Sequence, residues 1–192
     1  MKDKDKSRAR LMLLCRVGVL AALVFAASGL RIVIPVGDGN TALHLGNVLC
    51  LLSGLLLGPV PGGLAAGIGS AIYDLTNPLY VASAPFTLAF KFLLAAVAGW
   101  VAYSGSRRGR SLGWDLVGSA AGSVTYTLLY VGKSFLSNLW FKGMPLQAAA
   151  LAALPKLAAS AVNGMIAVAA AAPLALAINA ALRRAGWEWG KS

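Results

Sequence analysis

The sequence contains little charge and very few acidic side chains. Only 12% of its 192 residues are charged, and Asp and Glu together number six. A soluble domain carries roughly a quarter charged residues, because its water-facing surface needs them. The low charge and a hydrophobic content of 58% argue against a soluble domain and favour a chain that lies mostly in lipid.

Residues suited to metal binding or disulfide formation are also scarce, with two cysteines and one histidine. Cys15 and Cys50 lie in apolar runs without a ligand spacing, so free buried thiols are expected. His44 has no second His, Cys or carboxylate near it at ligand spacing, so no metal site is expected.

Enzyme signatures are absent as well. The sequence has no phosphate-binding loop of the P-loop type, so we expect that the chain is not itself an ATPase. It also lacks a Ser/His/Asp set, and the two carboxylates near apolar runs, Asp74 and Asp115, fall toward opposite sides. We therefore expect a protein that is not an enzyme and holds no cofactor.

Long apolar runs make up most of the chain. At about 20 residues per crossing, a chain of this length allows six membrane spans with short loops. Backbone polar groups in lipid must be paired within the segment, so these runs are predicted to be helices. The predicted fold class is all-α, a single membrane domain with a basic tail at residues 1–10. The six predicted spans cover about residues 11–34, 45–57, 63–75, 85–103, 113–140 and 155–182.

Turn-forming residues separate the predicted spans. Residues 35–41 are rich in Gly, Pro, Asp and Asn and predict a loop. Gly58–Gly62 contains two prolines, which end one helix and start the next. Phe141 to Pro145 is expected to form a turn, the Ala-rich residues that follow it up to Leu154 an outer interfacial piece, and the sixth span is expected to start near Pro155.

The basic residues predict how the bundle is oriented. The net charge is +11, but the Lys and Arg residues collect at the ends of the apolar runs, which makes a nucleic-acid partner a weak interpretation. Cytoplasmic loops carry the excess of Lys and Arg in membrane proteins. The connections on the other side clearly hold only Lys142, which predicts an even number of spans and cytoplasmic termini. The basic side holds Lys2, Lys4, Lys6, Arg8, Arg10, Arg107, Arg108, Arg110, Arg183, Arg184 and Lys191.

Polar side chains in or near the apolar runs gather toward the outer ends. Charged groups in the hydrocarbon core are costly and mark function by default. The polar side chains of this sequence are expected to line an outward-facing pocket for a small polar molecule. The alternative is that they pair with one another, as Asp74 with Lys91, or reach the outer headgroups. The candidate binding residues are Asn40, His44, Asn47, Asp74, Tyr80, Lys91, Lys133, Asn138, Lys156 and Asn163.

Small residues recur at every fourth position of the first apolar run. Gly18, Ala22 and Ala26 would lie on one face of a helix, where they let another helix approach closely. That second helix belongs either to the same bundle or to another protein.

Residues 43–47 (LHLGN), 55–59 (LLLGP) and 67–75 (GIGSAIYDL) resemble the substrate-binding S component of energy-coupling factor (ECF) vitamin transporters. The similarity continues through residues 90–92 and 96–99, and it is strongest to the riboflavin-type group. Asn47 stands where this family often has an acidic residue, which removes a charge near the expected pocket.

The resemblance implies six helices with both termini inside and a vitamin or vitamin precursor bound from outside, under the loop joining the first two spans. It also implies a membrane scaffold subunit, two cytoplasmic ATPases, and a location in the plasma membrane of a prokaryote. The family's scaffold-contacting motif, Ala-x-x-x-Ala, is matched by Ala22 and Ala26.

Three hypotheses follow. The first is an S component for a heterocyclic vitamin or precursor, such as a pyrimidine, a flavin-like compound or a deazapurine precursor of queuosine. The second is a stand-alone secondary transporter, which would need a coupling-ion site near the midplane, often with inverted repeats. No repeat relates the two halves, and Asp74 lies at the end of a span. The third is a structural or assembly protein that uses only its small-residue faces.

Overall fold

The computed structural model describes residues 2–36, 39–104 and 110–186, with the side chains of residues 2, 3, 5 and 33–43 outside that description. Within the described chain, six α-helices and one two-stranded hairpin form the fold, which confirms the all-helical class. The elements are α1 (Lys2–Gly29), β1 (Arg31–Val36), β2 (Gly39–His44), α2 (Gly46–Leu57), α3 (Pro59–Thr76), α4 (Ala84–Tyr103), α5 (Leu112–Trp140) and α6 (Leu146–Arg184), with a short 3₁₀ turn at Val81–Ser83.

In the part of the chain that the structure describes, three segments are long and apolar enough to cross a membrane. They are Lys6–Gly29, Val81–Tyr103 and Leu146–Arg184, while Gly46–Leu57 is a shorter apolar helix. Their outer faces carry large apolar side chains, such as Leu14, Trp100 and Leu151, each more than 65% exposed. A soluble protein rarely exposes so much apolar surface, so the outside of the bundle is suited to lipid.

The hairpin is the main departure from the predicted spans. The first span was predicted to reach residue 34 and residues 35–41 to form a loop, but α1 ends at Gly29 and β1 pairs antiparallel with β2. Arg31 lies opposite His44, and Val36 lies opposite Gly39. The prediction was wrong here because Ile32, Val33 and Ile34 are β-branched residues that suit a strand, and Pro35 cannot continue a helix.

Two helix boundaries also differ from the prediction. Gly58, at a positive φ of 84°, makes the turn between α2 and α3, and Pro59 and Pro61 lie inside α3. Proline is tolerated in the first helical turn, because the N–H groups there have no partner within the helix. α6 is continuous through Pro155 and Pro173, so residues 146–154 are not a separate interfacial piece. Transmembrane helices tolerate proline because neighbouring groups pair with the freed carbonyls.

Close helix packing depends on small residues. A Cβ added at Gly54 of α2 would lie 2.2 Å from the Ala95 carbonyl oxygen of α4. A Cβ added at Gly69 of α3 would lie 2.3 Å from the Ala21 carbonyl oxygen of α1. Side chains could not be added at these contacts without separating the helices. The core around α2 includes the fully buried Leu51 and Leu55.

The small-residue face of α1 points away from this core. Leu20, Val24 and Ser28 are buried against the bundle. Gly18, Ala22 and Ala26 are exposed, and nothing lies within 4 Å of a Cβ added at Gly18. Among the described residues, this face is therefore not covered by the chain's own helices.

Candidate functional site

A polar cavity of about 430 Å³ lies at one end of the bundle. Its walls come from the ends of helices that meet there: the C-terminal parts of α1, α3 and α5 and the N-terminal parts of α4 and α6. The base of the hairpin adds Arg31 and His44. Because helices that follow one another in the sequence run in alternating directions, residues far apart in sequence come together at this end.

Eight of the ten candidate binding residues line this one cavity. They are His44, Asp74, Tyr80, Lys91, Lys133, Asn138, Lys156 and Asn163. Asn47 is buried and accepts a hydrogen bond from Lys91 Nζ. The backbone of Asn40 lies in β2 opposite Pro35, and its side chain is outside the described part of the chain. The structure thus brings most of the candidates together, and their role in binding stays a prediction.

Asp74 and Lys91, which the alternative interpretation would pair with each other, are each hydrogen-bonded to another residue. Asp74 Oδ2 accepts a 2.5 Å hydrogen bond from Thr87 Oγ1. Lys91 is buried, donates to Asn47, and lies 4.1 Å from the centre of the Tyr126 ring. Asp74 still attracts Lys91 through space. The buried ammonium is therefore stabilised by an amide, a ring and a more distant carboxylate.

An aromatic wall on α5 was not among the candidates. The rings of Tyr126 and Tyr130 are stacked, with centroids 5.8 Å apart and planes inclined by 7°. Both line the cavity. The spacing of 126, 130, 133 and 137 places them on one helix face with Lys133 and Ser137. That spacing is the signal that would have identified them.

Arg31 was not among the candidate binding residues, but it lines the cavity. Its Nε donates a 2.7 Å hydrogen bond to the carbonyl oxygen of Ser28. The guanidinium lies 4.1 Å from the centre of the Tyr73 ring and 4.8 Å from that of Tyr80. These contacts fix the cation at the junction of α1 and the hairpin. The other lining residues outside the candidate set are Ser28, Ser70, Leu79, Ser83, Thr87, Ser134, Ser137, Lys142 and Ser160.

Two residues of the cavity wall each carry a buried polar atom that lacks a partner in the described part of the chain. Tyr80 Oη and His44 Nδ1 have no hydrogen-bond partner among the described residues. Buried polar atoms are nearly always paired in folded proteins, so an unpaired one needs an explanation. A hydrogen-bonding molecule in the cavity would supply the missing partners.

His44 is held as a neutral imidazole. It lies in β2, outside the helices, and burial together with the nearby Lys91 and Arg31 keeps its pKa well below the usual range. Its backbone N–H donates to Asn163 Oδ1 of α6 at 3.0 Å. A neutral ring can accept a hydrogen bond from a bound molecule at one nitrogen.

An apolar helical bundle with a polar, ligand-sized cavity at one end is typical of membrane proteins that bind small molecules. The sequence model of the family described as ECF-type riboflavin transporter, S component, matches residues 10–180. The chain belongs to this family, and it is a multi-pass membrane protein.

One relative comes from Pyrococcus woesei and is described as an uncharacterized protein in gap 3'region. It is 33% identical over 106 residues, which cover 55% of this chain and 66% of that protein. The match thus spans just under two thirds of the relative. No solved structure matches the chain.

Proposed function

We propose that this chain captures a small vitamin or vitamin precursor at the outer face of the membrane and hands it to an ATP-driven module. The observation that carries the proposal is the cavity. Eight of the candidate binding residues, which are polar residues in or near apolar runs, line this one space. Its volume of about 430 Å³ lies within the usual range of small-molecule sites, roughly 300–1,000 Å³.

The proposed topology has six spans, with both termini in the cytoplasm of a prokaryote and the cavity facing outward. Arg8 and Arg10 lie at the N-terminal end of α1, and Arg183 and Arg184 at the C-terminal end of α6. These ends lie opposite the cavity, which is built from the other ends of the same helices. The positive-inside rule then places the cavity on the outer side of the plasma membrane.

The proposed energy source is external to the chain. We assign no catalytic activity or cofactor to it, and propose that two cytoplasmic ATPase subunits drive transport through a membrane scaffold subunit. Gly18, Ala22 and Ala26 support the docking step, because this row of small residues is exposed on the outer face of α1. Small residues at such spacing permit close helix contact in membranes.

The proposed ligand is a planar heterocycle, in the range of pyrimidines, flavin-like compounds and deazapurine precursors of queuosine. The stacked Tyr126 and Tyr130 rings support this class, because they offer a flat aromatic surface beside hydrogen-bonding groups. Aromatic rings gain free energy from offset stacking or edge contacts with other rings.

The binding test uses the full chain purified in detergent. Thermal unfolding is measured with riboflavin, a pyrimidine vitamin precursor and a deazapurine, each added separately. A molecule that binds only the native state raises the unfolding midpoint. At least one heterocycle is expected to do so, and Tyr126→Ala is expected to reduce the shift. The absence of a shift with every heterocycle would contradict the proposed ligand class.

The transport test compares uptake of the best ligand by cells with and without the scaffold and ATPase subunits. Uptake is expected to require those subunits. Uptake by vesicles that contain this chain alone, driven by a proton gradient, would favour a secondary transporter instead. Absence of any ligand effect in both tests would favour a structural role.

A further inference from the structure

The cavity carries far more positive than negative charge. Among its described lining residues, Asp74 is the sole carboxylate, and it faces five Lys or Arg side chains: Arg31, Lys91, Lys133, Lys142 and Lys156. A surplus of charge in a partly buried space is costly unless something of opposite sign enters. The positions of these cations relative to Asp74 show which side of the cavity lacks negative charge.

One side of the cavity is partly neutralised. The carboxylate of Asp74 acts on Arg31, Lys91 and Lys133. Arg31 is also fixed between two tyrosine rings, and Lys91 is hydrogen-bonded to Asn47. Arg31 and Lys91 therefore have partners within the fold, whereas Lys133 shares the carboxylate of Asp74 with both of them.

The other side, where α5 meets α6, has a different balance. Lys156 is half-buried, and the nearby Lys142 and Lys133 carry charges of the same sign as its own. Its Nζ donates a 2.7 Å hydrogen bond to Ser134 Oγ. An ammonium group carries three N–H donors. A neutral hydroxyl therefore supports Lys156 while two lysines repel it.

The surroundings of Lys156 suit an oxyanion. Ser134, Ser137 and Asn138 of α5 and Ser160 of α6 also line the cavity and bring hydroxyl or amide donors. Phosphate and carboxylate oxygens accept charge-assisted hydrogen bonds from such groups, and these are about twice as strong as neutral ones.

We propose that Lys156, with Lys133 and Lys142, forms an anion subsite that binds a phosphate or carboxylate group of the captured molecule. This inference rests on the proposed function and narrows its substrate class. The ligand has a planar ring on the tyrosine wall and a negative group at the α5–α6 side. The stack of Tyr126 and Tyr130 lies on the same helix as Lys133, so one rigid element presents both features.

The test uses two probes that differ by one charged group: riboflavin and riboflavin 5'-phosphate. Binding to the full chain is followed by quenching of flavin fluorescence. The phosphorylated probe is expected to bind about tenfold more tightly or better, the effect of one charged hydrogen bond. Lys156→Gln is expected to remove that advantage, and Lys156→Arg to retain most of it.

A matched control shows that the site, not the overall charge, is responsible. Arg184→Gln also removes one positive charge, but at the opposite end of α6. It is expected to leave the ratio of the two affinities unchanged. A single cooperative thermal unfolding transition of ligand-free Lys156→Gln in detergent shows that the variant is folded.

Equal binding of both probes by the wild-type chain would overturn the anion subsite and leave the proposed capture function intact. If neither flavin binds, inorganic phosphate is the probe. A rise of the unfolding midpoint in wild type but not in Lys156→Gln supports the subsite, and equal responses overturn it. Loss of ATPase-dependent uptake is a separate result that concerns the proposed function.

Lipid headgroups carry the same phosphate chemistry. Lys142 is exposed, so the probe experiments are repeated in nanodiscs of zwitterionic and of anionic lipid. A phosphate preference that is the same in both lipids supports a soluble ligand. The other possible outcome is that anionic lipid abolishes the preference for the phosphorylated probe and stabilises the wild-type chain but not Lys142→Gln. That outcome would assign the subsite to lipid headgroups and overturn the proposal.

Discussion

The backbone N–H of His44 donates a 3.0 Å hydrogen bond to Asn163 Oδ1, across 119 residues of sequence. This bond joins the end of the hairpin to the wall of the cavity on α6. A second bond, from the N–H of Leu45 to the carbonyl oxygen of Leu30, closes the base of the hairpin at 3.3 Å. The hairpin is therefore held at the cavity from both sides.

Asn163→Ala is expected to loosen this attachment. The substitution leaves the partly buried His44 N–H without its acceptor, which costs about 1–3 kcal/mol. We expect a lower unfolding midpoint in detergent and faster dissociation of any ligand that binds in the cavity.

Asn77→Ala is the matched control for that experiment. Asn77 Oδ1 accepts a hydrogen bond from the Leu79 N–H in an exposed turn, where water can replace the acceptor. Its loss is expected to cost less. Equal effects of the two substitutions would contradict a special role for the His44–Asn163 bond.

The helices could be predicted from sequence, because apolar runs in lipid have few other ways to pair their backbone groups. The hairpin could not, because Ile32, Val33 and Ile34 extend the hydrophobicity of the preceding run and hydropathy ignores β-branching. The pairing of residues 31–36 with residues 39–44 consists of hydrogen bonds between two strands, and a hydropathy pattern carries no information about such bonds.

The candidate site was predictable to the extent that polar residues stand out in apolar runs. His44, Asp74 and Lys91 were found in this way. Tyr126 and Tyr130 were missed because aromatic residues are ordinary in membrane helices. The bond between Lys91 and Asn47 joins residues 44 positions apart and depends on how α2 packs on α4.

Asp115 and Asp74 are both buried, but their surroundings differ. Both carboxylate oxygens of Asp115 lack a hydrogen-bond partner among the described residues, as do the hydroxyls of Ser119 and Ser123 on the following turns of α5. Asp74 is bonded to Thr87 and lies among cations. An unpaired buried charge destabilises a fold, whereas a paired one is costly to remove.

The same conservative change is therefore expected to act in opposite directions at these two positions. Asp115→Asn should raise the free energy of unfolding by about 1 kcal/mol or more, because it removes an unpaired charge. Asp74→Asn should lower it, because the cations lose their carboxylate. Thermal unfolding in detergent measures both, and a drop in the midpoint of Asp115→Asn would contradict the prediction.

The neutral state of His44 predicts a pH dependence of stability. The pKa of His44 in the fold is well below that of the unfolded chain, about 6.5, because of burial and the nearby Lys91 and Arg31. Above about pH 6.5 both states are neutral at this residue, and its contribution to stability is fully present. As the pH falls below that value, the unfolded chain binds a proton that the fold disfavours, so stability declines.

His44→Gln is the control for this prediction, since His44 is the single histidine of the chain. The difference in unfolding midpoint between wild type and His44→Gln should be constant above about pH 7. Between pH 6 and 5 the midpoint of wild type should fall further than that of His44→Gln. Parallel curves across that range would show that His44 titrates normally in the fold.

Ala22→Leu tests the exposed small-residue face of α1. The proposed docking brings a scaffold helix close to Ala22, so a larger side chain should separate the two surfaces and weaken the complex. Co-purification of tagged scaffold with the full chain is expected to fall several-fold. Ligand binding by the isolated chain should not change, because Ala22 lies on the exposed face of α1 and does not line the cavity.

Ala158→Leu makes the same change at an exposed alanine of α6 and is expected to leave the complex intact. Equal co-purification of wild type and Ala22→Leu would show that the scaffold docks on another surface.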